Sequence, residues 1–175
     1  MLPERHFFTG APGSRWSGIS QDIESSDLYD TSDRTPERSY THDTYNGHVG
    51  VYFGTGMEFP ASLDKDVLDS PYTGTGSKLH KSHEYAFMLP NIVKHYPDCW
   101  ITLVVRDSQR CFTWWKKAGG WDITYPNYDY YVDDETMMDK IIRMNCSMMN
   151  FAHKHNLTWR HVAKHPDILK TTWKP

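Results

Sequence analysis

The sequence predicts an α/β fold, a three-layer sandwich with a mainly parallel sheet. Three observations predict it. The run Trp100–Val105, WITLVV, is a near-continuous apolar, β-branched stretch, as in a strand covered on both faces, and Arg5–Thr9 reads as a second short buried strand. Strand patterns alternate with helical patterns along the chain, the signature of parallel pairing through crossovers. The first strand also feeds a glycine-bearing turn and then a helix, in the stretch HFFTGAPGSRWSGI from His6 to Ile19.

The elements follow in order. Arg5–Thr9 is a short buried strand, Gly10–Arg15 a turn, and a helix opens near Ser17 and runs through Ile19 and Ile23. Residues 24–47 are rich in Ser, Thr, Asp and Tyr and are expected to form a long surface excursion. His48–Phe53 alternates as a second strand and ends at Gly54 and Gly56. Ala61–Leu68 is a short helix with Ser62 as a candidate N-cap. Ser77–His80 is a third short strand after the loop 71–76. Glu84–His95 has helical spacing, with Pro90 starting a fresh turn. The strand WITLVV precedes a helix at Arg110–Lys117 that Gly119 and Gly120 stop. Residues 122–134 are a Tyr-rich loop, and Asp133–His155 is the longest helix candidate. The tail from His161 to Pro175 is weakly patterned.

Composition narrows the function classes. A chain of 175 residues suits one domain, 1–175, with one core. Hydrophobic content is only 38%, but seven Trp and eleven Tyr supply large rings for a core. The net charge of -3 supplies no global basic field, so nucleic acid is not an expected partner. Cys99, Cys111 and Cys146 are odd in number and lack a CxxC pair, which fits a reducing compartment. The start MLPERHFF has no apolar signal core, and no run approaches the ~18 apolar residues of a membrane span. A soluble, cytoplasmic protein is expected.

The turn after the first strand carries the clearest chemistry. A strand, a Gly-containing loop and a helix aim free backbone N–H groups at one point, and the helix dipole adds positive potential there. Gly10 and Gly13 allow close approach of a ligand, Ser14 and Ser17 offer hydroxyls, and Arg15 offers a charge. The plain alternative is a tight turn between strand and helix. Against the Walker pattern GxxxxGK[ST] counted from Gly10, the second Gly is Arg15, the Lys is Trp16 and the last position is Ser17. The cradle is P-loop-like, but the Lys that serves a nucleoside triphosphate is missing. Ordinary ATP or GTP hydrolysis is therefore disfavoured.

Three stretches in chain order resemble the sulfotransferases that use 3′-phosphoadenosine 5′-phosphosulfate. TGAPGSRWS resembles that family's 5′-phosphosulfate loop. Lys81-Ser82-His83, with Leu89-Pro90 downstream, resembles the Lys-Thr-His of its cytosolic branch. ITLVVRDSQRCFTWW, from Ile101 to Trp115, resembles its strand and helix for the 3′-phosphate. The resemblance covers about residues 6–19 and 78–117. It departs from the family pattern at three places. Gly13 stands where a basic residue follows the loop Pro, with Arg15 two positions later. Ser108 replaces a Pro. The family's Ser position holds Trp114, with Thr113 one residue short. The family's late basic loop has no clear counterpart beyond Lys164, Lys170 and Lys174 near the tail.

The resemblance implies a compact sulfotransferase with 3′-phosphoadenosine 5′-phosphosulfate as co-substrate and a small-molecule or carbohydrate acceptor. It implies His83 as the general base, Lys81 as a contact to the sulfonate or bridging oxygen, and Arg106 as the clamp on the 3′-phosphate. Gly10, Gly13, Ser14, Arg15, Trp16, Ser17, Thr113 and Trp114 complete the expected nucleotide site. No metal is expected: of the His pairs only His161 and His165 have i,i+4 spacing, and no HExxH accompanies them. Two alternatives are a P-loop-like nucleotide kinase or other phosphotransferase, and a non-catalytic nucleotide-binding relic of the fold. Tyr125, Tyr128, Tyr130 and Tyr131 are candidates to stack an acceptor ring or sugar. The Met-rich run from Met137 to Met149 reads as core packing.

Overall fold

Alternation along two strands sets the layers, because successive side chains of a strand point to opposite faces. In the computed structural model, which describes residues 2–33, 41–43, 47–49, 61–122 and 132–175, β1 spans Arg5–Gly10 and is buried throughout. Phe7 joins one apolar cluster and Phe8 the other. The strand β6 (Trp100–Arg106) repeats this division, with Ile101, Leu103 and Val105 on the Phe7 side and Val104 on the Phe8 side. Each fully buried Phe contributes about 1.5–3 kcal/mol.

The helices divide unequally between the faces. α1 (Trp16–Glu24) covers the Phe8 side with Trp16 and Ile19. The Phe7 side is covered by α3 (Leu89–His95), α4 (Ser108–Lys117) and α5 (Asp134–Lys154), with Leu68 of α2 (Lys65–Asp69). Met137, Ile141, Met144, Met148 and Phe151 of α5 are all buried there, so most of the Met-rich run is core.

The main sheet has six strands in the order β2-β5-β1-β6-β8-β7. β2 (Tyr29–Asp30), β5 (Ser77–Lys81), β1 and β6 are parallel. β8 (His165–Trp173) runs antiparallel to β6, and β7 (Arg160–Val162) antiparallel to β8. The weakly patterned tail is therefore two strands. β8 hides its signal because Pro166 and Asp167 open it and only Ile168 and Thr171 are buried along it. The long excursion after α1 also contributes to the sheet through β2. β3 (Thr41–Asp43) and β4 (Gly47–Val49) form a separate two-stranded hairpin, so the described part of the strand expected at His48–Phe53 pairs with β3 and not with the main sheet. Residues 50–53 and most of the Tyr-rich loop, with Tyr125, Tyr128, Tyr130 and Tyr131, lie outside the described residues.

Other boundaries shift for local reasons. α2 is capped by Asp64, whose Oδ1 accepts from the N–H of Asp66 at 2.8 Å and of Val67 at 3.2 Å. Ser62 instead accepts from the Asp64 N–H, one step before the cap. Pro90 lies in the first turn of α3, after a separate 3₁₀ turn at Glu84–Phe87. Asp133 and Thr136 form a reciprocal capping box that starts α5. Among the described residues no helix is long and apolar enough to cross a membrane, and Cys99, Cys111 and Cys146 are free thiols.

Two buried histidines make the sheet acid-sensitive. His6 lies between Tyr29 Oη at 2.7 Å and Thr102 Oγ1 at 2.8 Å, and Thr102 continues to Thr172 at 2.8 Å. Burial, with the charges of Lys174 and Lys170, lowers the His6 pKa to about 3. His80 packs against Phe7 and Tyr72, and burial, then Arg5, lowers its pKa to about 3 as well. Both rings stay neutral in the fold down to that pH, whereas in the unfolded chain they take up protons near pH ~6.5. Between these limits the unfolded state binds more protons, so stability falls as pH falls. Urea denaturation should show stability decreasing from pH ~6.5 toward ~3 by about 1.4 kcal/mol per pH unit for each histidine. His80→Leu should remove one histidine's share of that slope. An unchanged slope in the variant would exclude His80 as a source.

Candidate functional site

The order of the chain through the sheet places the loop. From β1 the chain goes to β2 and β5 on one side, then to β6 on the other. The reversal lies between β1 and β6, and the crevice beyond the carboxyl ends of such strands is where α/β sheets bind ligands. Residues 10–15 leave β1 at this point, and Arg106 ends β6 beside them.

The loop is bent by two left-handed residues. Gly13 has φ +77°, and a Cβ there would lie 1.9 Å from the Cys111 carbonyl oxygen and 2.9 Å from the Trp115 nitrogen of α4. Only glycine fits. Arg15 has φ 63° at the N-cap of α1, a conformation that costs a non-glycine residue about 1–3 kcal/mol. No side chain caps α1, so its first-turn N–H groups point out of the helix without a cap. Ser14 is fully buried, and its Oγ has no hydrogen-bond partner among the described residues. It lies against Gly10, where an added Cβ would come within 2.8 Å of it. Ser17 occupies the second position of α1, and its carbonyl accepts from Ser20 Oγ at 2.8 Å.

Side chains from the strands on both sides hold the loop. His83 follows β5, is buried, and its Nδ1 donates to the Gly10 carbonyl. A carbonyl only accepts, so this bond places the ring proton on Nδ1 and leaves Nε2 as the basic nitrogen of the neutral ring. Trp16 packs on the His83 ring with centroids 4.0 Å apart, and on Phe8 at 6.1 Å. From the other side, Arg106 Nη1 donates to the Gly13 carbonyl at 3.2 Å.

The structure thus brings Gly10, Gly13, Ser14, Arg15, Trp16, Ser17, His83 and Arg106 together at one end of the sheet. Lys81 turns elsewhere. Its Nζ lies 3.2 and 3.3 Å from the two carboxylate oxygens of Glu24 at the end of α1, with both side chains almost fully buried. Thr113 is exposed, and its hydroxyl donates to the Gln109 carbonyl at 2.9 Å in its own helix. Trp114 is 48% exposed and presents its ring to Arg106 at 5.2 Å and to Lys117 at 4.9 Å. Ser108, in place of the Pro, starts α4 and accepts from Asn145 Nδ2 at 3.0 Å, which also bonds the Arg106 carbonyl at 2.8 Å.

Several residues at the site were not singled out from sequence. Asp167, at the start of β8, accepts from Arg106 Nε at 2.8 Å and Nη2 at 2.6 Å, with Arg110 at 3.3 Å. Partial burial pushes the Asp167 carboxyl up, but the hydrogen bonds and charge of Arg106 outweigh it and hold it below the usual range. His165 is lowered by partial burial, then by Arg15, with Arg106 and Lys164 adding and Asp167 opposing. Among the described residues, Arg15, Arg106, Arg110 and Lys164 therefore form a basic rim that includes the carboxylates of Asp167 and Asp107. Lys164 was noted in the tail, but its place at the rim depends on the β7–β8 pairing. Gly18 matters too: a Cβ there would be 3.6 Å from Arg15 Cγ and Nε, so the arginine lies back along α1 over this glycine. Among the described residues no group of three or more His, Cys, Asp or Glu is placed to hold a metal ion.

Gly13→Ala should destabilise the fold by at least about 2 kcal/mol, from a left-handed alanine and a backbone collision together. Chemical denaturation of the variant measures it. A loss below ~0.5 kcal/mol would mean that the loop does not hold this path.

No family model, curated protein or solved structure matches the chain.

Proposed function

We propose that the chain is a sulfotransferase that takes 3′-phosphoadenosine 5′-phosphosulfate as donor, on a P-loop-like α/β fold. One observation carries the reading. Two motifs that flank β1 in the sheet, one ending in His83 and one containing Arg106, both close on carbonyls of the loop at Gly10–Arg15. The resemblance links these same three stretches to one nucleotide.

The residues present suit the donor. The buried Ser14 Oγ, which has no hydrogen-bond partner among the described residues, and the uncapped start of α1 offer donors to the 5′ phosphate end. Arg106 is a planar guanidinium held by Asp167 through Nε and Nη2 and by the Gly13 carbonyl through Nη1, so a phosphate would take the place of one of these partners, and Arg15 and Lys164 add positive charge nearby. Trp114 exposes a ring face beside Arg106. The donor supplies a sulfuryl group whose bond to the phosphate oxygen breaks as a new bond to the acceptor oxygen or nitrogen forms. The chain's own part is to orient the reactants, take the acceptor proton and hold charge on the leaving side.

His83 is the base in this reading. The Gly10 carbonyl fixes its tautomer, as a carbonyl or carboxylate orients a catalytic imidazole elsewhere, and leaves Nε2 to accept the proton. Lys81 pairs with Glu24 in the interior, so its part in this reading is to fix the end of β5 against α1.

Calorimetric titration of adenosine 3′,5′-bisphosphate tests the site. Binding is expected, with a rise in melting temperature that corresponds to about 2.7 kcal/mol at a hundred times Kd. No binding at millimolar nucleotide would overturn the reading. His83→Asn keeps a donor for the Gly10 carbonyl and removes the base. It should lower transfer to an acceptor by about 10²–10⁴-fold while nucleotide affinity stays within a few-fold. Undiminished transfer would remove His83 from its role. Binding with no transfer across a broad panel of hydroxyl and amine acceptors would favour a non-catalytic nucleotide-binding module.

A further inference from the structure

Helix α5 buries one face in the core, and a flank of it carries a second apolar row. Along that flank lie Glu135, Met138, Ile142, Cys146, Met149 and His153, spaced by three or four residues so that they line one side of the helix. Ile142 is 43% exposed and Met149 54%, Cys146 is exposed and Met138 half-buried. Exposed apolar side chains are ordinary when scattered, but a contiguous row on a helix marks a contact surface.

The row reads nearly the same from either end. About a centre near Met144, Ile142 is the counterpart of Cys146, Met138 of Met149, and Glu135 of His153. Two copies of α5 laid antiparallel across a two-fold axis at that centre would set each apolar residue opposite an apolar one. They would also set the acidic start of the helix, Asp133 to Glu135, against its basic end at His153 and Lys154. A parallel arrangement would oppose like charges at both ends. Such self-complementarity is what a two-fold interface requires.

From this we infer that the flank of α5 is a homodimer interface, in which two copies pack antiparallel through Met138, Ile142, Cys146 and Met149 with Glu135 facing the partner's His153. One helix pair covers less than the ~1,600 Å² of a standard interface. The dimer is therefore weak and concentration-dependent. It lies on a different flank from the loop at Gly10–Arg15 and does not depend on the function proposed above.

Sedimentation equilibrium of the full chain tests it. The wild type should rise to twice the monomer mass at tens to hundreds of micromolar. Ile142→Glu should stay monomeric across the range with an unchanged circular dichroism spectrum. Glu135→Lys and His153→Glu should each weaken association at least several-fold, and the double variant should restore most of it, because the swapped charges face each other again. A wild type that is monomeric throughout would overturn the proposal. So would association that survives Ile142→Glu, or a double variant no better than the singles.

Discussion

Two backbone carbonyls, those of Gly10 and Gly13, are the points on which the site is assembled. His83 donates to the first from beyond β5, and Arg106 donates to the second from the end of β6. The loop between them has a left-handed Gly13, a left-handed Arg15 and few backbone bonds of its own beyond the Ser14 N–H to the Ala11 carbonyl at 3.0 Å. A loop so strained keeps one shape only when its surroundings over-determine it. Here the flanking strands do so, and the close fit of Gly13 against α4 adds a third wall. Preorganisation of this kind is what binding and catalysis both need, because no reorganisation is left for the moment of reaction.

Charge is distributed unevenly around that loop. Below it, Lys81 and Glu24 neutralise each other out of water, which ties α1 to β5 and leaves little net field. On its other side, among the described residues, the basic groups outnumber the acidic ones: Arg15, Arg106, Arg110 and Lys164 lie with the carboxylates of Asp167 and Asp107. A chain with a net charge of -3 thus concentrates positive potential at one mouth. Asp167 has two consequences. It holds the Arg106 guanidinium in a fixed plane, and it occupies the edge of that guanidinium with an internal anion.

The parts of this arrangement that were legible in the sequence are the local ones. β6 announces itself because both its faces are buried and its residues are nearly all apolar and β-branched, and β1 was readable from the Phe7-Phe8 pair before the glycine turn. α5 does so through its length and the apolar spacing of Met137, Ile141, Met144, Met148 and Phe151. The turn at Gly10–Arg15 was legible because glycine and proline punctuate the chain in a way few other residues do. What stayed hidden depended on distant pairing. β2 is two residues long, and β8 has a proline and an aspartate among its first three residues, so neither has a period to read. The Arg106–Asp167 pair joins residues 61 apart, and the Lys81–Glu24 pair residues 57 apart. Nothing near Lys81 in the chain says that a carboxylate will reach it. The αL backbone at Arg15 was equally hidden, since arginine has no special preference for it.

The account rests most directly on the hydrogen bond from His83 to the Gly10 carbonyl, because it both closes the loop and decides which ring nitrogen is basic. Long-range ¹H–¹⁵N correlation spectra of the imidazole side chains measure that decision without any ligand or acceptor. In its neutral form the His83 ring is predicted to carry its proton on Nδ1, with Nε2 showing the shift of an unprotonated nitrogen. A ring with the proton on Nε2 and a bare Nδ1 would contradict the account, since the Gly10 carbonyl would then have no donor from His83 and the proposed base would be lost.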